Sequence, residues 1–567
     1  MKRMMWCIII AMIVVGTTVA QQPEIVWFDE CQFPVPRGEV VGQTVLCGVL
    51  SVPQDRDNPD GLWIEIAFAV LKSTNPNPAP DPIVYLEGGP GGSALSSIDY
   101  WSTFYMRQDR DIIIFDQRGA GYSYPRLVCD NMDVEASLED TQAYLRDLAD
   151  CRAQFEADGV DIGDYNTINN AHDTHDLLVA LGYPQWNLFG VSYGTRLALN
   201  IMRDFPQGIR SVIIDGVYPP VVNAYEELPI NGYRAFRQLF DDCLADSACN
   251  TAFPDLEARL YALIDRLNAN PIILADDSEL TGDGLADALF NFFYDTTVIP
   301  YLPLMIDELD RGGQTIINAL NDGTLPASDD NTPEDSVVNF ADMFVTLADM
   351  LDEAAFYDIY DEIDQWDLSR DELSDILYTY FDEVDADFLM ELLAEIADDD
   401  LYRLYVMLIA QDVSDSTGMF DAVECFDEIP FNSVEQEARL SADLPPQLAS
   451  FIAMQSQVDT CLVWQSAKPP QSETEPVYSD IPTLVLSGSY DPITPPAWGV
   501  IAAQTLSNST AIEFPAIGHG AVDSADCPSA IARAFINNPT MPIDTSCVAT
   551  MRVQFITQMP DLSAYED

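Results

Sequence analysis

The stretch that decides the fold is WNLFGVSYG, residues 186–194. It opens with an apolar run, which is typical of a strand buried on both faces of a sheet. It ends in a Gly-x-Ser-x-Gly pattern around Ser192, and a helical pattern follows over residues 195–203. A strand, a sharp turn and a helix in this order lift the serine hydroxyl above the sheet at the N-terminus of the helix.

Apolar runs of the same kind lie on both sides of this stretch. They occupy residues 83–86, 111–115, 211–214, 481–488 and 511–515. Helical patterns separate several of them, for example over residues 171–181, and a last one covers residues 529–536. Strands that alternate with helices predict a mostly parallel sheet, and therefore an α/β fold.

This alternation stops near residue 221 and returns near residue 476. Between these points the sequence reads as one acidic helical pattern after another. Together with the Gly-x-Ser-x-Gly turn, this predicts an α/β-hydrolase fold with a large helical cap insertion. The first part of the core is then residues 21–220, the cap is residues 221–475, and the second part of the core is residues 476–567.

A serine hydroxyl is a weak nucleophile and needs a base beside it. Of the three histidines, His172 and His175 lie on the helix before the nucleophile strand, where we expect them to face solvent or pack locally. His519 follows the last predicted strand on a glycine-flanked loop, so it is the predicted base. Asp491 follows the strand at 481–488 and precedes the histidine, which is the chain order that this fold requires. With Ser192 they form the predicted catalytic triad.

The oxyanion formed during acyl transfer needs backbone N–H donors. Tyr193, the residue after the nucleophile, is one predicted donor, and Gly89 in the Gly-Gly-Pro-Gly-Gly loop at residues 88–92 is the other. No Gly-Lys-Ser/Thr follows this loop, so a phosphate-binding P-loop is not predicted. We expect no cofactor, and three histidines without a Cys-x-x-Cys predict no structural zinc site.

The net charge of the chain limits the kinds of molecule that it is expected to bind. Asp and Glu total 93 against 25 Lys and Arg, which gives a net charge of −68. A surface so acidic repels nucleic acid and anionic lipid, so neither is an expected partner. Counterions of a saline habitat would screen the repulsion, and an acidic working pH would reduce it; the sequence leaves both explanations open.

The first twenty residues read as a signal peptide. Lys2 and Arg3 precede an apolar stretch too short to span a bilayer, and small residues lead to a predicted cleavage site after Ala20. Cleavage would give a secreted protein, extracellular or periplasmic, without a membrane attachment. An uncleaved anchor is the alternative reading.

Outside this segment the number of cysteines is even, as a disulfide framework in an oxidising compartment requires. Many connectivities are possible. Pairing the cysteines in chain order gives five local bridges: Cys31–Cys47, Cys129–Cys151, Cys243–Cys249, Cys425–Cys461 and Cys527–Cys547.

Three motifs together resemble the proline iminopeptidase family of α/β-hydrolase peptidases. They are GGPGG at residues 88–92, DQRGAGYS at 116–123 and GVSYG at 190–194. The signal peptide, the long cap and the segment around residues 487–519 look more like the exported tripeptidyl aminopeptidases of that family. Glu87 departs from the pattern, because relatives usually have His or Asn before the Gly-Gly-Pro loop.

The resemblance implies an aminopeptidase that removes one to three residues from a peptide N-terminus through an acyl-enzyme. In that family, carboxylates of the cap bind the free α-amine of the substrate. Glu424 and Glu428 are the candidates for this role here, with Glu226 and Glu227 behind them. On so acidic a cap, a solvated surface acid is the competing interpretation for each.

Two other interpretations remain open. The same triad would serve a carboxylesterase, because a triad does not separate amide from ester substrates. A non-catalytic binding domain on a hydrolase scaffold is the alternative of another class, although such domains usually lose a triad member and all three are present here. The expected partner is a peptide or a small ester, and the sequence leaves the oligomeric state open.

Overall fold

The computed structural model describes residues 23–129, 141–275, 278–321, 336–409, 416–449, 454–464 and 469–559, apart from short gaps at 349–350, 352, 365, 367, 382 and 398–400. The predicted signal peptide lies outside these residues. No helix in the described part of the chain is long and apolar enough to cross a membrane.

The described strands are β1 (Glu24–Trp27), β2 (Val45–Pro53), β3 (Trp63–Leu71), β4 (Ile83–Leu86), β5 (Ile112–Phe115), β6 (Trp186–Val191), β7 (Ile209–Asp215), β8 (Ile272–Ile273), β9 (Glu279–Leu280), β10 (Thr483–Gly488) and β11 (Ser509–Phe514). Nine of them form one sheet in the order β1-β2-β3-β5-β4-β6-β7-β10-β11. From β5 to β11 every neighbouring pair is parallel. The predicted α/β fold with a mostly parallel sheet is therefore confirmed.

Helices connect and cover these strands. They are α1 (Ile98–Thr103), α2 (Thr141–Ala157), α3 (Thr167–Leu181), α4 (Tyr193–Asp204), α5 (Ala224–Ala245), α6 (Ser247–Ala252), α7 (Leu256–Ala269), α8 (Gly282–Phe292), α9 (Leu302–Arg311), α10 (Thr315–Asn321), α11 (Ser336–Ala348), α12 (Glu353–Asp364), α13 (Arg370–Tyr380), α14 (Glu383–Glu395), α15 (Leu401–Ile409), α16 (Thr417–Asp427), α17 (Val434–Leu440), α18 (Met454–Trp464), α19 (Pro496–Ala503) and α20 (Asp526–Asn537).

The central strands are mostly apolar because both faces of the sheet are covered; the buried polar exceptions include Asn187 in β6, Ser211 in β7 and Ser487 in β10. In β10, Leu484 and Leu486 belong to the apolar cluster on one face, and Val485 belongs to the cluster on the other. Successive side chains of a strand point to opposite faces, so a strand covered on both sides buries nearly all of its side chains. The carboxyl ends of β4, β6, β7 and β10 meet at one edge of this sheet, where loops commonly carry function.

The sequence analysis did not predict the antiparallel strands β1, β2 and β3. β2 and β3 pair along their full length, from Val45 opposite Leu71 to Pro53 opposite Trp63. Each is followed by a turn or loop and another strand, so the alternation of strand and helix does not reveal them. The two-residue strands β8 and β9 also interrupt the helical region that the sequence predicts between residues 221 and 475.

The helices from α5 to α15 enclose apolar clusters of their own. One contains residues of α5, α7, α8 and α9, and another contains residues of α11 to α15. Both clusters differ from the two that cover the sheet. The limits of the cap at residues 221 and 475 stay a prediction.

Five cysteine pairs lie at disulfide distance, with Cα–Cα separations between 5.1 and 5.9 Å. They are the pairs that chain order suggests: Cys31–Cys47, Cys129–Cys151, Cys243–Cys249, Cys425–Cys461 and Cys527–Cys547. Each bridge closes a short loop, which restricts the unfolded chain.

Candidate active site

Ser192 lies on a sharp turn between β6 and α4. Its φ of 56° and ψ of −127° fall outside the regions that L-residues usually occupy. The flanking glycines make this turn possible: a Cβ on Gly190 would lie 2.3 Å from the carbonyl oxygen of Gly194, and a Cβ on Gly194 would lie 1.9 Å from that of Leu86. The predicted strand–turn–helix arrangement around Ser192 is present.

Asp491 and His519 lie in the loops that follow β10 and β11. His519 Nδ1 and Asp491 Oδ2 are 2.8 Å apart. Asp491 is fully buried, and its Oδ1 accepts the backbone N–H groups of Ile493 and Thr494. The Thr494 hydroxyl donates to Asp491 Oδ2 at 2.7 Å. These bonds fix the carboxylate, and a proton on His519 Nδ1 leaves Nε2 free to accept a proton from elsewhere.

The electrostatics of this pair favour a basic imidazole. Burial opposes the charged form of His519, but the Asp491 carboxylate and its hydrogen bond outweigh that effect. The pKa of His519 is therefore raised above its usual value. The ring also contacts the ring of Tyr294 edge-on, with centroids 5.0 Å apart.

The end of β7 connects Ser192 to the histidine loop. The Ser192 N–H donates to the carbonyl of Asp215 at 3.0 Å, and a Cβ on the next residue, Gly216, would lie 3.0 Å from His519 Cε1. The Asp215 carboxylate accepts the N–H groups of Ala521 and Val522, two and three residues after His519. Within the described chain the Ser192 hydroxyl makes no hydrogen bond to His519. Such bonds often form only when substrate is bound.

The glycine-rich loop after β4 faces the same turn. A Cβ on Gly88 would lie 3.2 Å from Ser192 Cβ. The Gly88 N–H donates to Glu87 Oε1, whereas the N–H of Gly89 meets no acceptor in the described chain. Tyr193 is the first residue of α4, and the first N–H groups of a helix have no intrahelical partner. Both predicted oxyanion donors thus have uncommitted N–H groups.

Residues of the DQRGAGYS motif, for which the sequence predicted no role in the site, hold this loop in place. Gln117 Nε2 donates to the carbonyl of Glu87 at 3.0 Å. Asp116 is buried and accepts the N–H groups of Leu95 and Tyr122 and the hydroxyl of Ser93. The DQRGAGYS motif that carried the family resemblance therefore has a local physical role.

The helical region contacts both halves of the site. Ser416, which precedes α16, donates its N–H to the carbonyl of Gly91 at 2.9 Å. Arg234 of α5 donates to the carbonyl of Ser489 at 2.5 Å and to the carbonyl of Asp491. Arg234 was not predicted, because nothing local in the sequence distinguishes it from other arginines.

Three of the four candidate carboxylates for the substrate amine bind groups of the protein itself. Glu428 is buried and pairs with Arg196 at 2.7 Å, and its other oxygen accepts the N–H of Ala224. Glu227 accepts the indole N–H of Trp498. Glu226 accepts from the side chain of Asn223.

Glu424 differs from the other three candidates. It is buried and hydrogen-bonded to the Tyr225 side chain, but its Oε2 has no hydrogen-bond partner among the described residues. Burial and the nearby Glu428 carboxylate raise the pKa of Glu424 to about 8. For Glu226, Glu424 and Glu428, the interpretation as solvated surface acids is wrong, because their side chains are buried.

His172 and His175 both pack against the ring of Phe205, with ring centroids 4.8 and 4.6 Å away. This agrees with the expectation that they pack locally.

Comparison with known proteins matches the chain to a family profile and to several curated proteins. The profile of the α/β hydrolase fold family matches residues 81–526. Serine protease Hip1 of Mycobacterium tuberculosis (strain ATCC 25618 / H37Rv) is 28% identical over 239 residues, which cover 40% of this chain and 45% of that protein. The tripeptidyl aminopeptidase of Streptomyces coelicolor is 31% identical over 195 residues, 31% of this chain and 36% of that protein.

A third relative is named as an esterase and not as a peptidase. Carboxylesterase B of Mycobacterium tuberculosis (strain CDC 1551 / Oshkosh) is 27% identical over 312 residues, 51% of this chain and 59% of that protein. Each of these alignments spans less than two thirds of the relative's length.

Proposed function

Because this chain belongs to the α/β hydrolase fold family, we propose that it is a serine hydrolase with Ser192, His519 and Asp491 as its catalytic triad. The observation that carries the proposal is the 2.8 Å contact between His519 Nδ1 and the buried Asp491 carboxylate, at the sheet edge where Ser192 occupies its strained turn. A buried carboxylate that holds a raised-pKa imidazole is the arrangement that general-base catalysis needs.

In this mechanism Ser192 Oγ attacks the scissile carbonyl while His519 Nε2 takes its proton. Asp491 keeps the proton of the imidazole on Nδ1 and stabilises the imidazolium. The N–H groups of Gly89 and Tyr193 bind the oxyanion, and each such donor typically contributes about 3 kcal/mol to transition-state stabilisation. The imidazolium then protonates the leaving group, and water releases the acyl group by the same steps.

We further propose that the substrate is a peptide from which one to three N-terminal residues are removed. The motif resemblance and the two relatives named as a serine protease and a tripeptidyl aminopeptidase support this choice. Glu424 is the preferred candidate for binding the α-amine, because an ammonium group would give its buried, unpartnered oxygen a partner. A carboxylesterase is the second candidate, and the similarity to carboxylesterase B favours it.

We propose that the protein acts outside the cytoplasm. Five disulfide pairs are typical of an oxidising compartment. Reduction should therefore lower the thermal stability of the purified protein, as a melting curve with and without dithiothreitol would record.

Two experiments test the activity. A fluorophosphonate probe should label the protein, and Ser192→Ala should abolish labelling and lower hydrolysis by at least about a thousandfold. Ser507→Ala, an exposed serine elsewhere, is the matched control. Equal labelling of Ser192→Ala and the parent protein would remove Ser192 from the mechanism.

A substrate panel then separates the candidates. It compares aminoacyl and tripeptidyl chromogenic amides with short acyl esters. Cleavage of amides with a free N-terminus supports the aminopeptidase. Cleavage of esters with refusal of every amide would replace it by the carboxylesterase.

A further inference from the structure

A cavity of roughly 350 Å³ opens beside the proposed nucleophile. Val191, the residue before Ser192, and Gly520, the residue after His519, both line it. A substrate group in this cavity would therefore lie next to the reacting atoms. The proposed mechanism assigns this space no role.

One wall of the cavity is aromatic. Tyr85, Trp101 and Phe189 line it, and all three are buried. The ring centroids of Tyr85 and Trp101 are 4.0 Å apart, and those of Trp101 and Phe189 are 6.3 Å apart. Aromatic faces bind apolar groups, and they also attract cations.

Three carboxylates share the cavity with these rings, and no Lys, Arg or His is among its lining residues. They are Glu87, Asp215 and Asp523. Asp523 is exposed, whereas Glu87 Oε1 accepts the Gly88 N–H and the Tyr85 hydroxyl. The lining therefore has net negative charge.

Asp215 distinguishes this cavity from the acidic surface in general. It is fully buried at the end of β7, so solubility does not account for its charge. Its Oδ2 accepts two backbone N–H groups, but its Oδ1 has no hydrogen-bond partner in the described part of the chain. A buried carboxylate oxygen without a partner costs free energy that a bound cation would recover. Burial raises the pKa of Asp215 to about 6.

We propose that this cavity is a substrate subsite for a positively charged side chain, the ammonium of lysine or the guanidinium of arginine. Carboxylates neutralise the charge, and the aromatic wall covers the apolar stem of such a side chain. The volume suits a long side chain better than an ammonium group alone. The role in substrate choice rests on the proposed hydrolase function, whereas binding of a cation does not.

Calorimetry tests the binding without any catalysis. The probes are benzamidine, an aromatic cation, and benzamide, its neutral counterpart. We expect benzamidine to bind at least about tenfold more tightly than benzamide. Asp523→Asn should reduce that ratio by roughly fivefold. Asp480→Asn, an exposed aspartate that precedes β10 at the opposite edge of the sheet, should leave the ratio unchanged.

Asp215→Asn should reduce the ratio further, provided that a melting curve shows it to be folded. If Asp215→Asn does not fold, the result for Asp523→Asn alone still decides the test. Equal binding of the two probes, or a ratio that Asp523→Asn leaves unchanged, would overturn the proposal. Loss of hydrolytic activity would not affect this measurement, so failure of the proposed function and failure of the subsite are distinguishable.

Paired substrates identify the source of the charge. The paired peptide amides carry either lysine or norleucine next to the scissile bond, and both have a free N-terminus. The lysine substrate should have a kcat/KM about tenfold higher than that of the norleucine substrate. Acetylation of the N-terminus should leave that ratio unchanged, whatever it does to the overall rate. If lysine and norleucine react equally and only acetylation lowers the rate, the cavity binds the α-ammonium or nothing, and the side-chain proposal is wrong.

Discussion

His519 determines the pH at which this protein can act as a base. Below its pKa the imidazole is protonated and cannot accept the Ser192 proton, so kcat/KM should fall as the pH falls. Because Asp491 raises that pKa, the fall should occur above the ordinary histidine value of about 6.5. A pH profile of kcat/KM measures its position.

Asp491→Asn should move this fall to lower pH, because the carboxylate that favours the imidazolium is gone. It should also lower kcat by roughly four orders of magnitude, since an amide does not hold the catalytic tautomer. Asp480→Asn serves as the control. An unchanged profile in Asp491→Asn would mean that another carboxylate orients His519.

At the scale of single elements, the turn between β6 and α4 depends on its glycines. Gly194→Ala would bring a methyl group against the carbonyl oxygen of Leu86 in β4. We expect a loss of about 2 kcal/mol in the free energy of unfolding, with a loss of activity, because the turn must shift. Gly284→Ala in α8 is the matched control and should cost less stability, because the atom nearest to the added methyl group, Thr281 Oγ1 at 3.2 Å, belongs to a side chain that can shift. Denaturant unfolding measures the free energy of unfolding of both variants. Equal stability of Gly194→Ala and Gly284→Ala would contradict the prediction.

Helix α5 contributes to the site through one side chain. Arg234 donates to the carbonyls of Ser489 and Asp491, so it holds the loop that carries the triad carboxylate. Arg234→Gln should lower kcat about tenfold and broaden the pH profile of kcat/KM, because the contact between Asp491 and His519 loosens. Arg237→Gln, on the same helix and paired with Asp241 and Glu257, should change neither kcat nor the pH profile. A lower melting temperature with an unchanged pH profile would make Arg234 merely structural.

At the scale of the whole molecule, the net charge of −68 opposes folding through self-repulsion. Added salt screens exposed charges, so the melting temperature should rise by about 5 °C or more between low salt and 1 M salt. NaCl and KCl should act alike at equal ionic strength, because screening does not depend on the identity of the cation. A melting temperature that is independent of salt would mean that the acids are spaced too widely to repel one another.

Much of this architecture could be predicted because its signals lie in short, continuous stretches of the sequence. The apolar runs predicted the parallel strands, since a strand covered on both faces is mostly apolar. The glycines around Ser192 predicted the turn, because no side chain fits there. The order of serine, aspartate and histidine, each after a strand, singled out Asp491 from 93 acidic residues, and that carboxylate is the one hydrogen-bonded to His519.

Other features depend on residues that are distant in the chain, so only the tertiary structure decided them. The pairing of β1, β2 and β3, the contacts of Arg234 with the Asp491 loop, and the ion pair of Arg196 with Glu428 have no local signature. The unpartnered oxygen of Asp215 is of the same kind, because the residues that line its cavity come from β4, α1, β6 and the loop that follows β11. Sequence by itself determined the fold and the residues at the ends of its strands; packing decided which charges are paired, because pairing is a matter of distance in space.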